Sequence, residues 1–177
     1  MAAMAAPDDV AVLTQLLGRA PQAEFDVVVR TAAGVPMVVR NAPFTRDGTP
    51  MPTRYWLVDG DLTVEVSRLE AAGGVRRAQA AVDPRALQSA HDAYAAERDA
   101  QIPESRPGPR PSGGVGGTRV GVKCLHAHYA YLLAGGDDPV GRWTRAQLDL
   151  QRDVASPVRA EHVSATQPRG EAGEIAP

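Results

Sequence analysis

Residues 24–58 read EFDVVVRTAAGVPMVVRNAPFTRDGTPMPTRYWLV. The valines in this stretch come in runs bounded by turn-forming residues, and that pattern decides the fold class. Glu24 to Thr31 (EFDVVVRT) and Met37 to Asn41 (MVVRN) are both rich in β-branched side chains. Ala32-Ala33-Gly34-Val35-Pro36 separates them, so the pair predicts a β-hairpin. Pro43 to Pro52 holds three prolines and an Asp-Gly step, which predicts a rigid loop. Arg54 to Val58 (RYWLV) is the third strand.

On the N-terminal side, Asp8 or Asp9 caps a short helix from Val10 to Leu17, which Gly18 ends. Its apolar residues Val10, Leu13, Leu16 and Leu17 share a face and dock it on the core. Residues 1–7 are expected to be disordered. On the C-terminal side, Asp61 starts an amphipathic helix, Leu62 to Ala72, with Leu62, Val66 and Leu69 inward and Gly73-Gly74 as its stop. Asp83-Pro84 pairs a cap with a first-turn proline and begins a helix reaching about Ile102. There Leu87, Ala90, Ala93 and Tyr94 face inward, while Arg85, Glu97, Arg98 and Asp99 form a solvated face. Pro103 to Gly117 packs four prolines and five glycines into fifteen residues, and residues 103–118 are expected to be a mobile loop. A helix from Val122 to Ala134 and another from Trp143 to about Val154 complete the chain. The predicted fold is therefore α+β: a small antiparallel sheet of about three strands with helices packed on one face. Residues 1–22 make an N-terminal helix and disordered start, 23–154 a single α+β domain, and 155–177 a disordered tail.

With 177 residues the chain can bury a real core. A net charge of −2 argues against nucleic acid and against an acidic membrane face. No run approaches the ~20 apolar residues of a spanning helix, and MAAMAAPDDV predicts no secretory signal. One cysteine makes no internal disulfide, which suits a cytoplasmic setting. Of the 19 basic residues, Lys123 is the single lysine. In so arginine-biased a chain it either marks a place where a guanidinium does not serve equally well or is a chance survivor of the bias.

Lys123 lies within Gly113–Trp143, GGVGGTRVGVKCLHAHYAYLLAGGDDPVGRW, which also holds Cys124, His126 and His128. Three chemistries compete for this stretch. First, the glycine run leads the backbone into a helix start that favours a phosphate or carboxylate. Lys123 and Arg119 would grip that anion, and Arg30, Arg40 and Arg54 could add forks; the Walker A spacing is absent. His126 and His128 would move a proton, with Asp137 or Asp138 as a partner carboxylate. Second, Cys124 near a helix start and beside Lys123 has the setting of an activated nucleophile; equally, it is a small core residue among Val122, Leu125 and Ala127. Third, Cys124 and His128, one helical turn apart, could hold zinc. On a helix Cys124 and His126 point about 200° apart, so His126 joins only if Cys124 precedes the helix. His91 and His162 are more distant substitutes. Tyr129, Tyr131, Trp56 and Trp143 read as core or rim residues. The leading expectation is a small phosphorylated ligand; the alternatives are a non-catalytic protein-interaction module and a metal-binding domain.

Four segments in this order, R-x-x-x-G-x-P (Arg30 to Pro36), D-G-T-P-x-P-T-x-Y-W-L (Asp47 to Leu57), S-R-L-E-x-x-G (Ser67 to Gly73) and V-K-C-L-H-x-H (Val122 to His128), resemble the bacterial family known as domain of unknown function 501. The resemblance spans about residues 25–150 and implies no activity. That family places a cysteine directly after the first arginine, where it could serve as a further zinc ligand; this chain has Thr31 there, a poor ligand.

Overall fold

The structure is a computed structural model and describes residues 7–155. Its elements run α1 (Pro7–Leu17), β1 (Ala23–Arg30), β2 (Pro36–Thr45), β3 (Tyr55–Leu57), α2 (Gly60–Ala71), α3 (Gly74–Ala81), α4 (Pro84–Asp99), a 3-10 turn (Val115–Gly117), α5 (Leu125–Leu133) and α6 (Pro139–Ala155). The strands form one antiparallel sheet in the order β1-β2-β3, so the fold is α+β. The expected disorder of residues 1–6 and 156–177, and with it His162, lies outside the described residues; Pro7 belongs to α1.

β2 is longer than the valine run suggested, because strand continues through Pro43 to Thr45 where a loop was expected. Between the Ala23↔Thr45 and Phe25↔Asn41 pairs the register shifts, and β2 has the extra residues. Pro43 sits in that bulge, where its missing N–H is tolerated, and its carbonyl accepts the Met51 N–H at 2.8 Å.

Period-two alternation divides the core. Val38, Tyr55 and Leu57 face a large cluster with Val66, Leu69, Tyr94, Leu125 and Leu148. Phe25 and Val39 face the other side of the sheet and meet Leu13 of α1 and Val58. The bulk of the helical layer thus lies on one face, and α1 covers the smaller cluster opposite.

Capping residues explain the helix starts. Asp59, not Asp61, caps α2, accepting the Leu62 N–H at 2.9 Å. Gly73 (φ +79°) ends the run that follows α2, but Gly74 then opens α3 instead of continuing a stop. A Cβ on Gly74 would lie 2.5 Å from the Leu69 carbonyl oxygen, so only glycine fits there. Asp83 caps α4 through the Ala86 N–H at 2.8 Å. On α4, Leu87, Ala90 and Tyr94 face inward as expected; Ala93 is exposed, and Arg98, expected on the solvated face, is 1% exposed. Its Nε meets Asp99 at 2.8 Å and its Nη1 donates to the Gly113 carbonyl at 2.7 Å. α6 begins at Pro139, ahead of the expected Trp143, because Asp138 accepts the Gly141 N–H at 2.7 Å.

Candidate functional site

The start of α5 differs from the sequence expectation in a way that changes its chemistry. The helix opens at Leu125, not Val122, because the preceding segment is held elsewhere: Gly121 has φ +72° and the Val122 N–H donates to Gln79 of α3 at 3.0 Å. Lys123 is therefore exposed and precedes the helix. Cys124 is the residue before the first turn, in extended conformation (φ −156°, ψ 125°).

Extended backbone at Cys124 lets residues 124 and 126 converge. Cys124 Sγ lies 3.7 Å from His126 Nδ1. The same nitrogen is 3.2 Å from Glu70 Oε1 of α2. Glu70 Oε1 also accepts the Leu125 N–H at 2.5 Å. The positive end of α5 is thus met by the chain's own carboxylate, as helix termini favour. His126 Nε2 sits 3.1 Å from the Thr63 carbonyl oxygen and 3.2 Å from Ser67 Oγ. The imidazole is pushed up to about 9, chiefly by its hydrogen bond to Cys124, with the Thr63 carbonyl and the charges of Cys124 and Glu70 adding and burial opposing.

His128 faces the opposite way. Its Nδ1 donates to Asp138 Oδ2 at 2.7 Å, both side chains are sealed from solvent, and Nε2 is buried without a partner among the described residues. The ring also packs edge-on against His91, with centroids 5.6 Å apart. Asp138 is the partner carboxylate that the Asp-Asp-Pro segment suggested, but the pair has no opening to solvent in this structure. Cys124 and His128 do not come together as a zinc pair, since that needed both on one helix and Cys124 lies outside it. His91 offers no free lone pair: Nδ1 accepts the Val115 N–H and Nε2 donates to the Gly121 carbonyl, each at 3.0 Å. Burial pushes its imidazole down. Thr31 closes the hairpin turn, its Oγ accepting the Val35 N–H at 3.1 Å.

The arginines do not gather at the α5 start. Arg119 is exposed beside α4, in a shallow hollow with His91 and Arg98. Arg30 reaches Asp9 of α1 at 2.9 Å. Arg40 and Arg54, however, meet in a different hollow of about 550 Å3, with Phe25, Asp26, Asn41 and Arg46 also on its wall. Arg40 pairs with Asp26 at 2.8 Å, Arg46 with Glu24 at 3.0 Å and Arg54 with Glu97 at 3.0 Å. The bond to Asp26 holds the Arg40 guanidinium above its ordinary value against the opposing effect of burial.

Glu70 and Asn41 were not singled out from sequence. For Glu70 a signal existed, the S-R-L-E-x-x-G segment, which also contains Ser67; only the fold shows that this face of α2 meets the α5 start. Asn41 carried none, being one polar residue at the end of a valine run.

A three-stranded antiparallel sheet with a polar cluster where α2 meets α5 defines the class, a small α+β protein. Residues 27–146 match the family model described as Protein of unknown function (DUF501), and the chain belongs to that family. No curated protein and no solved structure matches it.

Proposed function

We propose that this protein binds a small anionic ligand, a phosphorylated metabolite by class, in the hollow between the sheet and α1 and not at the α5 start. Support comes from a buried donor without an acceptor, set beside guanidinium groups. Arg54 is 4% exposed, yet lines the hollow. Its Nε serves Glu97 and its Nη1 reaches the Asn41 carbonyl at 3.4 Å. Asn41 Nδ2 is buried and has no partner among the described residues. A buried donor left unmade costs about 1–3 kcal/mol; an oxyanion would satisfy Asn41 Nδ2 and take the forked contact that the neighbouring guanidinium groups favour. Arg40 adds a third donor group on the same wall.

Lys123, Arg119 and Arg30 have no part in this site. Thermal unfolding with inorganic phosphate, acetate and a panel of phosphorylated small molecules tests it. At a hundredfold excess over Kd a bound ligand stabilises by about 2.7 kcal/mol. Arg40→Gln and Asn41→Asp should remove that response while leaving the circular dichroism spectrum unchanged. An absent response in the wild type, or an equal one in both variants, refutes the proposal.

A further inference from the structure

Glu70, Cys124 and His126 each place one ligand-type atom within 4.8 Å of the other two. The Thr63 carbonyl oxygen only accepts, so the 3.1 Å contact means that His126 Nε2 carries a ring proton. Nδ1 is then turned towards a sulfur and a carboxylate oxygen. Three electron-rich atoms facing one another repel unless something positive lies between them. A proton on Nδ1 and the thiol proton of Cys124 do this pair by pair; a metal ion does it for all three at once.

Two of the three separations match the edges of a metal site, and the third lies within 4.8 Å. In a tetrahedral zinc site, bonds of about 2.3 Å to sulfur and about 2.0–2.1 Å to nitrogen and oxygen set the sulfur–nitrogen edge at about 3.6 Å and the nitrogen–oxygen edge at about 3.3 Å. The corresponding separations here are 3.7 Å and 3.2 Å. The surrounding contacts are those of a prepared ligand set. The histidine is oriented through its other nitrogen by a backbone carbonyl, and the carboxylate is held by a backbone N–H.

We infer that Glu70, Cys124 and His126 form a site for a zinc-class divalent ion, with three protein ligands and a fourth position open. Thiolate and imidazole select zinc over magnesium and calcium. All three side chains are half-buried, with His126 22% and Glu70 26% exposed, so an ion has a way in. Binding displaces the thiol proton of Cys124 and any proton on His126 Nδ1, and both go to solvent. The site shares no residue with the arginine hollow, so either can fail without the other.

The full chain, stripped with chelator, is titrated with zinc against a competing chelator, and separately with cobalt. The expected result is one tight equivalent of zinc, with a thiolate-to-cobalt charge-transfer absorption. Cys124→Ser should abolish that absorption, and Glu70→Gln and His126→Gln should each weaken zinc binding ~10-fold or more. A readout that needs no variant is alkylation of Cys124, the chain's single cysteine, which zinc should slow at least tenfold. Two results overturn the inference. One is that wild-type protein takes up no zinc and its alkylation rate is indifferent to zinc, the outcome if a proton alone joins the three groups. The other is that zinc binds but neither Cys124→Ser nor alkylation of Cys124 alters it.

Discussion

Replacing Asp138 by alanine should destabilise the protein by about 2–4 kcal/mol, through two losses that add. The carboxylate caps α6 through the Gly141 N–H at 2.7 Å, and deleting such a cap costs about 1 kcal/mol. Its other oxygen accepts from His128 Nδ1 at 2.7 Å, and both groups are fully buried. Alanine leaves that N–H unsatisfied, at about 1–3 kcal/mol, on a ring whose Nε2 already lacks a partner among the described residues. For a chain of this length the sum lowers Tm by roughly 5–15 °C. Asp138→Asn keeps an acceptor for Gly141 and can donate to His128 Nδ1 once the ring proton moves to Nε2, so its cost should be about half. Urea denaturation monitored by circular dichroism measures all of this, and a double-mutant cycle with His128→Phe isolates the pair. Coupling of about 1–2 kcal/mol is expected. An Asp138→Ala variant within ~0.5 kcal/mol of wild type, or strict additivity in the cycle, would show that the buried pair is not what fastens α5 to α6.

Two further outcomes follow from His91 and the glycine segment it holds. Gly114→Ala should cost about 1–3 kcal/mol, because a Cβ there would lie 2.4 Å from His91 Cβ and 2.6 Å from its Cα, which is helix backbone that cannot move aside; equilibrium unfolding reads this, and a neutral variant contradicts it. The pH dependence has a definite sign: burial holds the His91 imidazole below its ordinary value of 6.5, so the unfolded chain takes up protons there more readily than the folded one. Stability from this group is present above pH ~6.5 and lost as pH falls through and below it, since a second ring proton expels the Val115 N–H from Nδ1. Between pH 7.5 and pH 5, His91→Gln should lose less stability than wild type, and parallel curves would refute the assignment.

The sheet was legible because its signals are local. Valine runs split by Gly34 and Pro36 make a hairpin whatever packs on them, and Asp83-Pro84 starts a helix by the same kind of local rule. What escaped were features decided by partners distant in sequence. α3 has only Val75 and Ala78 as inner-face residues, too few to show a helical period in eight residues. Arg98 reads as a surface charge until the Gly113 carbonyl arrives to accept from it. In the candidate sites the right residue types were visible but their groupings were not. Spacing along a helix linked Cys124 with His128, whereas a bond from Val122 to Gln79 of α3 keeps Cys124 out of that helix.

His126 and His128 show how one short segment serves two sides of the fold. Two residues apart on a helix, their side chains diverge by about 200°, so a shared reaction is geometrically excluded. One turns to α2 and meets Glu70, Ser67 and the Thr63 carbonyl; the other turns to α6 and is sealed against Asp138. Gly141 lets α6 approach closely at that point, since a Cβ there would come within 2.6 Å of the His128 carbonyl oxygen. The inner histidine is therefore tied to the packing of two helices, and its loss is felt as stability. The outer one is half-buried beside Glu70 and Cys124, so under the zinc inference its loss should be read as a fall in zinc affinity. A single site using both histidines would couple those two properties; the observed geometry separates them.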